Sequence, residues 1–518
     1  MKRHYCIIFL ATLSLLTACG TASKVRKAKP VPVKVVPKDT LVIPSKPWET
    51  PQVEGVKQEM RAVWLTTIYG LDWPKTKANN ASGIKAQQLE LDHILDRLKE
   101  DGFNTIFLQV RQRGNVIYPS QYEPFSPDFT SSGNRPDYDP LDYAVKACHS
   151  RGLACHAWLV TFPLGSHKNF SKLSSHIKSS WTVKHDGEWY LNPGEPEARE
   201  YIADIAEEIV KKYPVDGIHM DYVRYPENAV KFNDKFTYNK YGQGEGLYQW
   251  RRDNITALFR TINKKVHAIS PWVQISAATL GKLKYLPELK SSHGWTAFES
   301  VHQDPESWEK GDVIDFVVPM MYYKDQLFEP FLLDWQKSLK QAKVIAGLGA
   351  YRVDERSTVR WNVNDISCQM DYVKDCHMPG VCFFRDENIR SSRPEMRMMI
   401  RDRFKTKALA LSLDRGKKYP PAKPINIVIQ PGKDDLKITW ATDSIHNKTP
   451  ETYRIWGRIT EKSGDSKSML IADGVNEKQY TISKNITPHG GYIEIGVEAV
   501  NPLGFVAPCD KGAIYMNK

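Results

Sequence analysis

Eight short apolar runs, spaced along a chain of 518 residues, leave few folds open to it. They read "RAVWLTT" (61–67), "TIFLQV" (105–110), "ACHAWLV" (154–160), "GIHMDYV" (217–223), "VQISAATL" (273–280), "DFVVPMMYY" (315–323), "KVIAGLGAY" (343–351) and "GVCFFR" (380–385). Runs of this length and character read as buried strands. Helical patterns lie between several of them. Leu91, Ile94, Leu95 and Leu98 share one face before Gly102; Asp139 and Pro140 offer a cap and a first helical position; Pro196 opens a helix that buries Tyr201, Ile202, Ile205 and Ile209. Eight apolar strands alternating with helices predict an α/β fold, a (β/α)8 TIM barrel over 58–405. An open doubly wound sheet is the alternative, but no glycine-rich phosphate turn follows the first run. Beyond about residue 405 the pattern changes. Short alternating strands separated by turn residues, from "INIVIQPGKDDLKITW" to "GYIEIGVEAVNPLG", predict a small all-β sandwich over 418–518.

The N-terminal part predicts a location. Lys2 and Arg3 precede the apolar run "YCIIFLATLSLLTA", which is too short to span a bilayer and reads as a secretory signal over 1–19. "LTAC" looks like a bacterial lipobox, so Cys19 is expected to carry lipid and to tie the chain to a membrane of the cell envelope. Gly20 in place of aspartate favours the outer membrane. Residues 20–57, rich in Pro, Lys and Val, read as an extended tether. Part of the formal net charge of +12 lies there, which suits an anionic surface. No nucleic-acid-binding module accompanies the charge, so nucleic acid is not an expected partner. Of eight cysteines, the six from Cys148 to Cys509 are too sparse for a disulfide scaffold and match no common zinc spacing. No cofactor or metal is expected, and nothing in the sequence speaks to oligomeric state.

Catalytic groups of a barrel project from the C-terminal ends of its strands. Asp221 ends the apolar part of the fourth run. By strand alternation it shares the inward face with His219 and Val223, while Ile218, Met220 and Tyr222 face the helices. Asp216, at the strand's start, points to the opposite end and reads as structural. An inward carboxylate must be hydrogen-bonded or used, because burying it unpaired is costly; a salt bridge to Arg111 or Arg224 is the bland explanation. Other strand ends and their loops supply Gln109, Arg111, Tyr118, His156, Trp158, Asn192, Arg224, Tyr322, Tyr323 and Glu387 as substrate-binding candidates. Acids, aromatics and donors at one rim suit an oligosaccharide cleft. Glycoside cleavage uses two carboxyl groups, about 5–5.5 Å apart for retention and about 6.5–9.5 Å for inversion. Asp221 is cast as nucleophile or base and Asp304 as proton donor, with Glu387 and Asp325 in reserve. Asp304 lies in "HQDPESW", a pattern that also caps helices.

The segments "MRAVWLTTIYGLDWP" (60–74), "FNTIFLQVRQRGNVIYPS" (103–120), "DPLDYAVKACHSRGLACHAWL" (139–159), "LNPGEPEAREYIADIAEEIVKKYPVDGIHMDYVRYP" (191–226) and "DVIDFVVPMMYY" (312–323) resemble, in order, the glycosyl-hydrolase-like family 10 of exported bacterial barrel proteins. The resemblance implies hydrolysis of cell-wall glycan, with strands stripped of peptide as the substrate. A glycan-binding protein without catalysis and a hydrolase of another polysaccharide are the alternatives. The fourth run is also similar to the chitinase signature, in which a glutamate follows the aspartate two residues on; here Val223 stands in its place, so the proton donor must come from elsewhere. The C-terminal segment, with its Pro-rich start, "LKITW" and "YRIW", resembles a fibronectin type III domain.

Overall fold

The computed structural model describes residues 47–518 apart from 55, 168–172, 290–293, 355–356, 358–360, 391–393, 444–450 and 518. The signal segment with Cys19, most of the tether and the side chain of Asp325 lie outside the described residues.

Eight parallel strands close into a barrel: β1 Met60–Leu65, β2 Thr105–Arg111, β3 Ala154–Val160, β4 Gly217–Asp221, β5 Gln274–Leu280, β6 Phe316–Met320, β7 Ala346–Leu348 and β8 Gly380–Phe383. β8 pairs back onto β1 from Gly380↔Met60 to Phe383↔Val63, which completes the ring. The helices around it include α1 Ala81–Glu100, α2 Pro140–Ser150, α3 Pro196–Lys212 and α4 Leu247–Ile269. Their sequence signals are the ones used. Asp139 accepts from the N–H groups of Leu141 and Asp142, Pro140 is the first residue of α2, and α1 buries Leu91, Ile94, Leu95 and Leu98. Each helix lays its apolar stripe on the outer face of the sheet, and that layer is the main core.

Inside the ring the side chains stack in layers, as they do in a filled barrel. Trp64, Phe107, Trp158, Ala278, Phe316, Val318, Ile345 and Cys382 form a second core there. β4 and the seventh run depart from the single uninterrupted strands that their apolar runs predict. β4 stops at Asp221 because Tyr222 takes φ 50°, a left-handed backbone that breaks the strand's alternation. In consequence Val223 does not continue the inward face but joins the outer core, and Tyr222, expected against the helices, is 37% exposed. The seventh run is split: Lys343–Val344 and β7 both pair with β6, on either side of Ile345.

The C-terminal part is a two-sheet antiparallel sandwich. One sheet holds β9 Pro424–Pro431, β10 Asp435–Thr442 and β13 Gln479–Ser483; the other holds β11 Thr452–Thr460, β12 Ser466–Val475, β14 Tyr492–Val500, β15 Val506–Pro508 and β16 Ala513–Met516. Between them lie Leu436, Ile438, Trp440, Tyr453, Ile455, Ile495 and Val497. This sandwich packs on the N-terminal end of the barrel. Gln274 at the start of β5 donates to the Pro502 carbonyl at 2.9 Å, and the Arg415 guanidinium lies 2.8 Å from Asp315 just ahead of β6. The loops that follow the strands form the opposite, C-terminal end of the barrel.

Candidate active site at the C-terminal end of the barrel

Asp221 is the last residue of β4 and is 6% exposed. Because Tyr222 turns back in the left-handed region, its own N–H reaches Asp221 Oδ1 at 2.7 Å. Trp158 Nε1, from the end of the neighbouring β3, donates to Oδ2 at 3.1 Å. The backbone holds the pair in register, with Thr161 N–H on the Asp221 carbonyl at 2.8 Å. Burial pushes the Asp221 carboxyl up to about 6, and the two hydrogen bonds and the nearby Arg224 charge recover only part of that rise. The Glu227 carboxylate adds to the rise by charge repulsion.

Glu227 forms an ion pair with Arg224 at 2.7 Å, and the Arg224 guanidinium lies 4.8 Å from the centre of the Tyr222 ring. An antiparallel hairpin sheet inserted after β3, made of Pro163–Gly165, Thr182–His185 and Glu188–Leu191, flanks this group. It places His185 Nε2 3.1 Å from the Glu227 carbonyl oxygen and holds Arg113 on Glu188 at 2.8 Å. The Tyr190 hydroxyl is pushed up to about 12 by burial and by the charges of Glu188 and Glu227. On the other side, Tyr322 follows β6 and packs edge-on against Tyr351. Its hydroxyl is buried with no hydrogen-bond partner among the described residues, and the Asp221 charge reaches it. Exposed aromatics on the same end are Tyr69 after β1, Tyr222 after β4, and Tyr285 and Trp295 after β5.

Several residues expected at the rim have closed roles. Asp304, expected as the proton donor, caps the helix Pro305–Lys310: Oδ1 accepts from Ser307 N–H at 3.2 Å and Oδ2 from its hydroxyl at 2.7 Å. Arg111 is fully buried; Nε and Nη2 bind Glu123 at 2.9 and 2.6 Å, and Nη1 reaches the Val160 and Thr161 carbonyls. Gln109 accepts from the N–H groups of Thr67 and Ile68 at 3.0 and 2.9 Å, which shapes the loop after β1. Tyr118 donates to Glu208 on α3 at 2.9 Å, in the outer layer. Asn192 donates to Thr237 at 2.9 Å and accepts from Gly194 N–H. Tyr323 turns outward and donates to the Gly281 carbonyl at 2.8 Å. Glu387 pairs with Arg390 and lies 3.9 Å from Lys75.

The two histidines belong to the barrel interior. His219 stacks on Phe107 with ring centres 4.2 Å apart. The Trp64 indole can only donate, so His219 Nε2 accepts its N–H at 3.1 Å and Nδ1 donates to Ser276 Oγ at 2.9 Å. Burial holds His219 neutral, well below the usual imidazole range. His156 lies one layer lower, against Gly217, and burial takes it down to about 4. Glu227, Tyr190 and Glu188 are not singled out by the sequence, whereas Arg113 lies at the end of the second run. Glu227 follows the fourth run directly in "RYPEN", a strand-end position like that of Arg224; Tyr190 and Glu188 lie on an insertion with no strand-end signal.

Residues 59–359 match the family described as Glycosyl hydrolase-like 10. The chain belongs to this family. Among its curated relatives, glycosyl hydrolase YngK of Bacillus subtilis is 28% identical over 59% of this chain and 63% of its own length, so the chain spans less than two thirds of that relative. Glycosyl hydrolase DigH of Escherichia coli is 28% identical over 70% of this chain and 91% of its own. Among solved structures, α-L-fucosidase isoenzyme 2 from Paenibacillus thiaminolyticus is similar over 67% of this chain and 49% of its own, with a TM-score of 0.46 and 13% identity. The family match and the closed barrel coincide over the same part of the chain.

Proposed function

We propose that this glycoside hydrolase cleaves an N-acetylated bacterial cell-wall glycan, peptidoglycan strands freed of peptide, by carboxylate chemistry centred on Asp221. The observation that carries the reading is the Asp221 carboxyl itself: buried at a strand's C-terminal end, bound by the Tyr222 N–H and the Trp158 indole, and raised to about 6. No packing need explains a carboxylate there, whereas a nucleophile or base beneath a sugar ring requires one. Glu227 replaces Asp304 as the second carboxyl, because its charge registers at Asp221 and Asp304 is bound to its helix. The spare Tyr322 hydroxyl supplies a donor for a sugar oxygen or an N-acetyl carbonyl, and the exposed Tyr69, Tyr222, Tyr285 and Trp295 supply faces for pyranose rings.

On this reading the chain works in the envelope, lipid-anchored through Cys19 with the residues before Pro47 as a tether; the expected tether is shorter than 20–57, because Trp48 is buried on the sandwich with its N–H on the Asp510 carbonyl at 2.8 Å. The C-terminal sandwich is a fibronectin type III-like module, a reading supported by its three-strand and larger antiparallel sheets. The test is reducing-end release from amidase-stripped glycan strands by wild type and Asp221→Asn. Release by wild type and loss of at least a hundredfold in the variant are expected. Wild type that binds the strands and releases nothing would leave only a lectin, and a variant as fast as wild type would remove Asp221 from the mechanism.

A further inference from the structure

A cleft of about 1230 Å³ runs along the junction between the N-terminal end of the barrel and the sandwich, at the end opposite Asp221. Its narrow floor is set by two glycines in left-handed backbone. A Cβ on Gly474 would come within 2.8 Å of Gly152 Cα, and one on Gly152 within 3.1 Å of the Gly474 carbonyl oxygen, so the two backbones meet with no room for a side chain. Seven Lys and Arg residues line the cleft against four Asp and Glu.

Two of those cations are unusual. Lys99, at the end of α1, donates to the Gly152 carbonyl at 3.3 Å, and Lys407, between barrel and sandwich, donates to the Ile471 carbonyl at 2.7 Å. Each ammonium has three donors, and neither forms an ion pair among the described residues. Both side chains are open to the solvent of the cleft yet surrounded by protein. That surrounding lowers the pKa of both, and the Lys407 charge lowers that of Lys99 further. Asp473 acts on both from a distance, but its carboxylate lies 3.2 Å from Arg454. Two partly desolvated like charges facing one cleft are an unfavourable arrangement that an anion would relieve. Beside them stand Asn476 and Gln479, with amide hydrogen-bonding groups, and the half-buried ring of Tyr480. Amides and an aromatic face next to cations suit a sugar acid better than a bare phosphate.

We infer that this cleft is a second, non-catalytic binding groove for the carboxylate-bearing glycan, with Lys99 and Lys407 holding lactyl carboxylates while the barrel mouth works on another stretch of polymer. The inference rests on the proposed substrate class, which is the source of the carboxylates. A second contact on one polymer raises the effective concentration of substrate at the mouth without altering the chemistry there.

The experiment uses the full chain. Binding to long amidase-stripped strands is measured for Asp221→Asn and for Asp221→Asn carrying Lys99→Ala and Lys407→Ala. Hydrolysis of a short soluble oligosaccharide of the same glycan, too short to span both sites, is measured for the Lys99→Ala/Lys407→Ala enzyme. Expected are at least tenfold weaker binding of long strands by the double lysine variant, unchanged turnover of the short substrate, and loss of the difference in 0.5 M salt, where exposed charges are screened (Debye length below about 5 Å). A chitooligosaccharide, which has the N-acetyl groups and no carboxylate, should not distinguish the two lysine backgrounds. Equal binding of long strands with short-substrate turnover intact overturns the groove alone. Failure of the Asp221→Asn protein to bind the strands, together with failure of wild type to cleave the short substrate, overturns the substrate reading beneath it. Both lysines are exposed, so equal thermal midpoints are expected and serve as the folding control.

Discussion

Replacing Asp221 by asparagine should make the protein more stable, and should do so only above about pH 5. The carboxyl is raised from an ordinary 3.8 to about 6 by burial. A group whose folded pKa lies above its unfolded one binds protons more tightly in the native state, so stability falls as pH rises between the two values and is flat above them. The span corresponds to ~3 kcal/mol of native-state destabilisation at pH 7. Asparagine carries no charge and avoids this term at every pH. It keeps an acceptor for the Tyr222 N–H, but its amide donor then faces the Trp158 indole N–H, at a cost of about 1–2 kcal/mol that does not vary with pH. The variant should therefore gain ~1–2 kcal/mol at pH 7.5 and lose ~1–2 kcal/mol at pH 4. The assay is urea denaturation of both proteins at pH 4, 5, 6 and 7.5, reading the difference between them, in which other titrating groups cancel. A difference that stays constant across this range would refute the placement of Asp221 in a site that raises its pKa.

Three further outcomes follow from the same contacts. Arg224→Gln should shift the acidic limb of the pH–rate profile to higher pH, and Glu227→Gln should shift it to lower pH, since Arg224 lowers and Glu227 raises the Asp221 pKa; if Glu227 is also the partner carboxyl, its variant loses about 10²–10⁴ in kcat, read by reducing-end release. Glu123→Ala should cost about 3–5 kcal/mol by leaving the fully buried Arg111 unpaired, measured as a fall in denaturation midpoint. Tyr222→Gly fits the φ of 50° better than tyrosine does, so stability should change by less than about 1 kcal/mol while KM for long glycan rises through loss of the exposed ring.

The parts of the fold that sequence made legible are those governed by local period and local caps. Leu91, Ile94, Leu95 and Leu98 announce α1 by spacing alone, and Asp139–Pro140 announces α2, because the physics that forms those helices acts within a few residues. Strand ends were less legible. "GIHMDYV" looks like one uniform strand, yet Tyr222 leaves it to bring its N–H onto Asp221, a requirement of the site and not of the run's composition. Within the site, Asp221 stood out because strand polarity assigns one end of the barrel to chemistry. Arg111, Tyr118, Asn192 and Tyr323 looked equally available, and what closed them was a partner 12 to 90 residues away: Glu123, Glu208, Thr237 and Gly281. A polar residue's freedom is a property of its neighbours in space, and a single sequence lists only its neighbours along the chain.

The aspartates at the two ends of β4 show how the barrel tolerates its own candidate site. Asp216, just before the strand, accepts from Cys155 N–H at 2.6 Å and from His149 Nε2 at 2.8 Å, and these bonds hold its carboxyl below the ordinary range despite burial. The same contact raises His149 to about 9, so it adds stability that is fully present between about pH 4 and 6.5, is lost as pH climbs through 9, and is lost in acid as Asp216 takes up its proton. Asp221, five residues on, has two neutral donors and no contacting cation among the described residues, and its pKa moves the other way. One carboxylate is thus satisfied and steadies the closed end under the sandwich; the other is left under-satisfied at the open end. A strand built this way concentrates its electrostatic strain at the residue where a substrate can relieve it. That asymmetry, more than burial alone, is why Asp221 and not Asp216 is the group to test first.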